Sequence, residues 1–281
     1  QDRPRIRKRL KKKYELVTLK MEGNKPYLQG AVTMDSGEVP VKLLVDTGHS
    51  DAVWLFENLT SAIQLPTKNF DDYLGRGFSG DIYGKRAIIP EFRIRDFLFE
   101  KPVVAFPDSI SLKHVKLVDG RLGSVGGEIF KRFSIVFDYK KEQMFLKKNS
   151  DFKTYFSYNK SGIEIRIAGN QWVQETISLK LETKKSGYNT TINDNLVNNF
   201  KYNFKLEPIY EIDNVRKGSE SAKAGLMAGD VIKSINGKEV QKYSLSEVNS
   251  FLKAEREKWI IMEVLRKSKP LKFKFKLQNI L

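Results

Sequence analysis

Apolar and polar positions alternate with a period of two over much of the first half of the chain, and that period predicts strands. Leu28–Met34 and Val39–Leu44 flank Asp35-Ser36-Gly37-Glu38, a turn-forming tetrad, and read as a hairpin. Val53–Phe56 is a short apolar run. Gly75, Gly77, Gly80 and Gly84 then punctuate a loop-rich stretch, after which Ile88–Ile94 and Phe97–Phe106 read as strands. Ser134–Asp138 and Gln143–Lys147 flank Tyr139-Lys140-Lys141-Glu142 as another hairpin, and only Gly127–Phe133 suggests a short helix. Many short strands with turn signals predict a mainly β domain, closed or sandwiched, over residues 15–150.

The pattern changes after Asn149. Ser157–Gly162 is a polar join, and Ile163–Ile167 and Trp172–Leu179 alternate as strands. Residues 183–203 are Asn-rich and carry no period, as an insertion would. From Phe204 onward the order is strand, Ser/Gly turn, short helix, strand, hairpin, a longer helix over Leu245–Glu257, and two closing strands. A second, α+β domain is therefore expected over 151–281. No fixed-period repeat is visible.

Composition narrows the function classes. The 281 residues are 40% hydrophobic and 11% aromatic, enough for real cores. No run approaches the roughly 18 apolar residues of a membrane-spanning helix. Cysteine is absent, which excludes disulfides, thiolate metal sites and cysteine nucleophiles. The two histidines, His49 and His114, are too few for a His-rich metal cage. The first residue is Gln1, read as a processed or trimmed start.

The net charge of +16 is uneven: residues 1–14 carry +7, residues 15–150 only +1, and residues 151–281 the remaining +8. The basic arm of residues 1–14 has no interleaved aromatics and reads as a solvated linker, so no nucleic-acid partner is expected. No Gly-x-x-x-x-Gly-Lys-Ser/Thr loop and no Gly-x-Ser-x-Gly elbow appear.

Chemistry concentrates in Val41-Lys42-Leu43-Leu44-Val45-Asp46-Thr47-Gly48-His49-Ser50, an apolar strand running into Asp-Thr-Gly-x-Ser. A carboxylate placed there sits on a short loop at a strand end, with Gly48 permitting a tight turn. Asp35-Ser36-Gly37 is a similar tripeptide eleven residues earlier, better explained as the hairpin turn and given no catalytic role.

The Asp46 motif, the downstream Gly123-Ser124-Val125-Gly126-Gly127-Glu128-Ile129-Phe130 segment and the hairpin after Phe133 together resemble a retropepsin-like aspartic protease lobe. The resemblance implies a closed β lobe with Asp46 as catalytic carboxylate and Thr47, Gly48, Ser50, Gly126 and Gly127 supporting its loop. Gly77, Phe78, Ser79 and Gly80 fall where such a lobe places its flap tip. In this family two aspartates share one proton; one activates water while the other protonates the scissile carbonyl. One lobe supplies one aspartate, so the resemblance implies a homodimer partner or a second lobe from the same precursor. His49 departs from the Ala or Ser usual at its position.

Tyr210–Val215, Gly218–Leu226 and Ala228–Gly237 resemble the PDZ domains of bacterial envelope proteases, partly open barrels with two helices. That likeness places a peptide carboxylate near Ser161, Gly162 and Ile163, with Ile165 on the adjoining edge strand. The whole chain resembles bacterial aspartyl protease–PDZ proteins, which implies an endopeptidase acting on peptides or proteins in the periplasm, cell envelope or outside the cell, without cofactor or metal. The alternative is a non-catalytic PDZ adaptor carrying an inactive or incomplete protease lobe.

Overall fold

A computed structural model describes residues 10, 12–77, 80–112, 117–178, 200–253 and 257–281. The chain divides into two compact units. The first comprises residues 1–162, 253–257 and 278–281; the second comprises 163–252 and 258–277. Among the described residues, no helix is long and apolar enough to cross a membrane.

The first unit is built from β1 (Glu15–Thr18), β2 (Lys20–Glu22), β3 (Lys25–Met34), β4 (Gly37–Val45), β5 (Val53–Leu55), β6 (Asn69–Gly77), β7 (Gly80–Ile88), β8 (Glu91–Ile94), β9 (Phe97–Glu100), β10 (Val103–Pro107), β11 (Arg121–Val125), β12 (Phe133–Asp138) and β13 (Gln143–Lys148). Two one-turn helices interrupt them, α1 (Ser109–Leu112) and α2 (Gly127–Phe130). The period-two reading of β4 holds. Val39, Val41, Leu43 and Val45 point into the core while the intervening residues are more exposed. β3 and β4 pair from Tyr27↔Leu44 to Met34↔Gly37, so Asp35-Ser36 is a two-residue hairpin turn.

The ladder runs β6-β7-β10-β5-β11-β4-β3-β8-β9, with β2 added to β3. Its ends do not pair, so the closed lobe expected from the sequence is an open sheet. The core is shared instead with a separate sheet, β1-β13-β12, which contributes Val17, Met144, Leu146 and Phe133 to one apolar cluster with Leu43, Val53 and Val104. Two runs expected as single strands are each broken by a proline. β7 and β8 part at Ile89-Pro90, and β9 and β10 at Lys101-Pro102, where a missing N–H interrupts the ladder. Lys101 N–H donates to the Pro90 carbonyl at 2.8 Å, tying the two breaks together.

The unit's last residues belong to a small satellite cluster. Tyr158 Oη accepts from Ile280 N–H (2.7 Å) and Leu281 N–H (3.0 Å), and Leu281 packs with Val103 and Tyr158.

The second unit has the strand order β14-β15-β16-β18-β19, where β14 is Ile163–Ser178, β15 Phe200–Val215, β16 Val231–Ile235, β17 Lys238–Glu239, β18 Lys258–Arg266 and β19 Lys269–Leu277; β17 pairs with β16. Its helices are α3 (Glu220–Lys223) and α4 (Leu245–Ser250). Ser219 caps α3, accepting from Ala222 N–H at 3.2 Å. Ser244 and Glu247 form a reciprocal capping box on α4. The helix expected to reach Glu257 ends at Ser250, and residues 254–256 lie outside the described residues. β14 is continuous where two strands were expected; a bulge between Ile167 and Gly169 absorbs the irregularity. Residues 200–203 of the Asn-rich stretch already belong to β15, held by pairing with 175–178.

Candidate functional site

Asp46 stands where β4 leaves the central sheet. β11 runs parallel to β4 on one side and antiparallel to β5 on the other, so Val125 pairs with both Val45 and Val53. Gly123 makes that sandwich possible: a Cβ there would lie 1.9 Å from the Trp54 carbonyl oxygen. Asp46 N–H donates to the Val125 carbonyl (3.0 Å), and Gly48 N–H donates to Asp46 Oδ1 (2.8 Å). The loop is thereby anchored at its start and folded onto its own carboxylate.

The far side of the loop rests on Gly126 and Gly127. Gly126 N–H donates to the Ala52 carbonyl (3.0 Å) and Gly127 N–H to the His49 carbonyl (2.8 Å). At Gly126 a Cβ would fall 2.1 Å from His49 Cε1, so only glycine lets the imidazole lie there. Asp46 is half-buried, while Thr47, Gly48 and Ser50 are exposed.

A buried ionic chain lies behind this loop. Asp51 accepts from Trp54 Nε1 (2.7 Å) and from Arg86 Nη1, and Arg86 Nε donates to Asp72 Oδ2 (2.7 Å). The three charged side chains retain only 10%, 13% and 6% of their exposure for Asp51, Arg86 and Asp72. β6 and β7 form a hairpin that closes at Gly77↔Gly80, and Arg86 and Asp72 are on its two strands. The hairpin base is thus clamped to the Asp46 loop through Asp51. Burial by itself raises the Asp51 carboxyl, but the Arg86 charge and the two hydrogen bonds outweigh it and hold the group below the ordinary carboxylate range. Burial likewise opposes the Arg86 charge, and the two carboxylates overcome it and raise its pKa.

His49 stacks on Trp54, ring centroids 4.9 Å apart. Both ring nitrogens are buried without a hydrogen-bond partner among the described residues. Burial lowers its pKa below the ordinary imidazole value, although Asp51 and Asp46 pull the other way. Arg121, whose Nε donates to the Gly123 carbonyl at 3.0 Å, is lowered by burial and sustained partly by the Asp46 charge. Among the described residues no His, Asp and Glu cluster could hold a metal ion.

The candidate residues of this unit therefore come together: Asp46, Thr47, Gly48 and Ser50 on one loop, Gly126 and Gly127 directly behind it. Gly77 and Gly80 close the β6–β7 hairpin, and Phe78 and Ser79 lie outside the described residues. Sequence reading missed the chain from Asp51 through Arg86 to Asp72. A clue was an arginine in a β strand facing an acidic Asp71-Asp72 pair, but nothing in the spacing marks it as buried.

In the second unit, β14 is an edge strand with its apolar side against α4. Ile163 and Ile165 are buried on that side and pair with Val215 and Ile212. Ser161 and Gly162 precede β14 at the end of the first unit. Ser161 is buried, its N–H and Oγ bonding Asn159 Oδ1 (3.0 and 2.6 Å), and Gly162 has φ +77°. β14 and β15 continue beyond the core as a two-stranded arm that exposes Trp172, Phe204 and Leu206.

Residues 211–266 match the family model of the PDZ domain. The second unit carries a PDZ domain. The match begins within β15, so β14 at the edge of this PDZ domain is outside it. No curated protein sequence matches the chain. Among solved structures, a retropepsin-like aspartic protease from Rickettsia conorii aligns at 16% identity over 47% of this chain and 98% of its own, with a TM-score of 0.30. The HtrA-type protease AlgW with a decapeptide aligns at 11% identity over 95% of this chain and 80% of its own, with a TM-score of 0.30.

Proposed function

We propose that the first unit is one lobe of an aspartic-type endopeptidase with Asp46 as its carboxylate, and that the PDZ domain binds the C-termini of peptides or proteins. The observation that carries the reading is the Asp46 loop itself: a carboxylate at a strand end, pinned by Gly48 and backed by Gly126-Gly127. Its exposed rim, Thr47, Gly48 and Ser50, is the side on which a second lobe packs, from the same precursor or a homodimer partner.

The chemistry follows from two facing carboxyls that share a proton. The ionised one takes a proton from water as the water oxygen attacks the scissile carbonyl carbon; the protonated one gives its proton to the carbonyl oxygen. Collapse of the tetrahedral diol breaks the C–N bond and returns a proton to the amine. Asp51 cannot serve as the second acid, because Trp54 and Arg86 already occupy it. Ile163 and Ile165 lie on the apolar side of the edge strand β14, to which a peptide strand is added, with its carboxylate meeting the turn at Ser161-Gly162-Ile163. No cofactor or metal enters this scheme. A periplasmic, cell-envelope or secreted setting rests on the resemblance of the sequence alone.

Asp46→Asn keeps the shape and removes the titrating group. Assayed with its partner lobe present, this variant should lose peptide cleavage entirely; persisting cleavage would overturn the assignment. One observation favours a second reading. His49 fills the loop with a bulky ring whose buried nitrogens have no hydrogen-bond partner among the described residues, as tolerated in a non-catalytic adaptor. That reading predicts C-terminal peptide binding without cleavage in any assembly state.

A further inference from the structure

The outer face of β18 and β19 has no role in the core. Ile260, Met262 and Val264 of β18 are buried, while Trp259 and Ile261 point outward at 55% and 37% exposure. Their partners across the ladder, Lys276 and Lys274, share that outward face, as do Glu263 and Lys272. β19 is an edge strand, so a row of lysines spaced roughly 7 Å apart stands beside an apolar row.

The hairpin as a whole is basic, with Lys272, Lys274 and Lys276 on the outward face and Arg266 turned away to Asp230 at 2.7 Å. Residues 258–277 hold seven basic residues and one acid, most of the excess of the second half of the chain. The acid, Glu263, is engaged by Lys272 (3.1 Å) and Ser234 Oγ (2.8 Å). The turn between the strands adds Lys267, at φ +49°.

We propose that this face docks on an anionic phospholipid bilayer. Indole and aliphatic side chains settle at the headgroup boundary, and lysines beside them lay their stems on the apolar surface while the ammonium groups meet lipid phosphates. A nucleic acid fits less well. The Lys274 ammonium sits 4.7 Å from the Trp259 ring centre and occupies the face on which a base would stack, and Ile261 offers nothing to a base or phosphate.

The test is flotation of the full chain with phosphatidylcholine vesicles, with and without 30% phosphatidylglycerol, at low and high salt. Binding should require the anionic lipid and weaken with salt. Lys274→Gln with Lys276→Gln should weaken it roughly twenty-five-fold, at about fivefold per lysine. A blue shift of tryptophan emission on anionic vesicles should persist in Trp172→Phe and vanish in Trp259→Phe. The proposal fails if the chain does not float, if neutral vesicles bind it equally, or if the lysine variant floats like the parent because the arm of residues 1–14 carries the binding. It also fails if the Trp259→Phe shift survives, or if a single-stranded oligonucleotide displaces the vesicles through the same lysines.

Discussion

Arg86→Leu should destabilise the first unit and reverse its response to pH. In the native chain Arg86 lies between Asp51 and Asp72, all three largely withdrawn from water. Removing the cation strands two buried carboxylates, a change that costs about 3–5 kcal/mol. For a unit of this size each kcal/mol moves Tm by about 2–4 °C, so the loss is roughly 6–20 °C. The sign with pH follows from Asp51. Its folded pKa is depressed, so it contributes stability above the unfolded carboxylate pKa of about 3.9 and loses it as pH falls through the folded value. In Arg86→Leu burial remains as the largest influence and raises that pKa, so the variant gains stability by taking up a proton. Its deficit against the parent should therefore be largest near pH 7.5 and narrow toward pH 4.5. Calorimetric or urea unfolding at both pH values measures this. Adding Asp51→Asn and Asp72→Asn should recover much of the loss. A deficit independent of pH, with no recovery in the triple variant, would refute the account of the buried chain.

Three further outcomes are expected. Gly126→Ala drives a methyl group into the His49 ring, so it should cost about 1–3 kcal/mol and displace the Asp46 loop, seen as altered tryptophan fluorescence from Trp54 and lost cleavage in the assembled protein. In an NMR titration of the two histidines, the His49 resonance, assigned through His49→Gln, should titrate below about 6.5; a midpoint above that value contradicts its burial without partners. Because that pKa is lowered, His49 supports stability above about 6.5 and withdraws it as pH falls through the folded value. For the PDZ domain, peptides with free C-termini should bind at least about tenfold more tightly than amidated copies, by fluorescence anisotropy, and equal affinity would remove Ser161-Gly162 from the carboxylate role.

How much of this was legible in the sequence depends on how local each cause is. The β3–β4 turn at Asp35-Ser36 and the β12–β13 hairpin were visible because alternation and turn residues lie within a few positions of one another. The proximity of Gly126-Gly127 to Asp46 came through a resemblance, since nothing in spacing predicts that segments eighty residues apart touch. Pro90 and Pro102 were present in the text, yet both apolar runs were read straight through them, a case of period outweighing the missing N–H. The open sheet was missed because closure depends on whether β6 and β9 meet, which neither strand's sequence encodes. The β14–β15 arm was divided at Gly169-Asn170, where a bulge carries the strand onward, and its partner strand begins inside a stretch whose asparagines read as loop.

Arg86 sets the limit of that kind of reading, and it bears on function. Along β7 it stands beside Lys85, and nothing in the spacing separates the two; the structure pairs Lys85 with the 85%-exposed Asp71 and buries Arg86 against Asp72 and Asp51. The difference arises only when β7 is laid between β6 and β10, with the β5 loop behind. Two neighbouring ion pairs of the same chemistry thus have opposite weight: the exposed one contributes at most about 1 kcal/mol, and the buried one holds the β6–β7 hairpin to the loop that carries Asp46. For that reason the arginine, which touches no reacting atom, belongs to the architecture of the site.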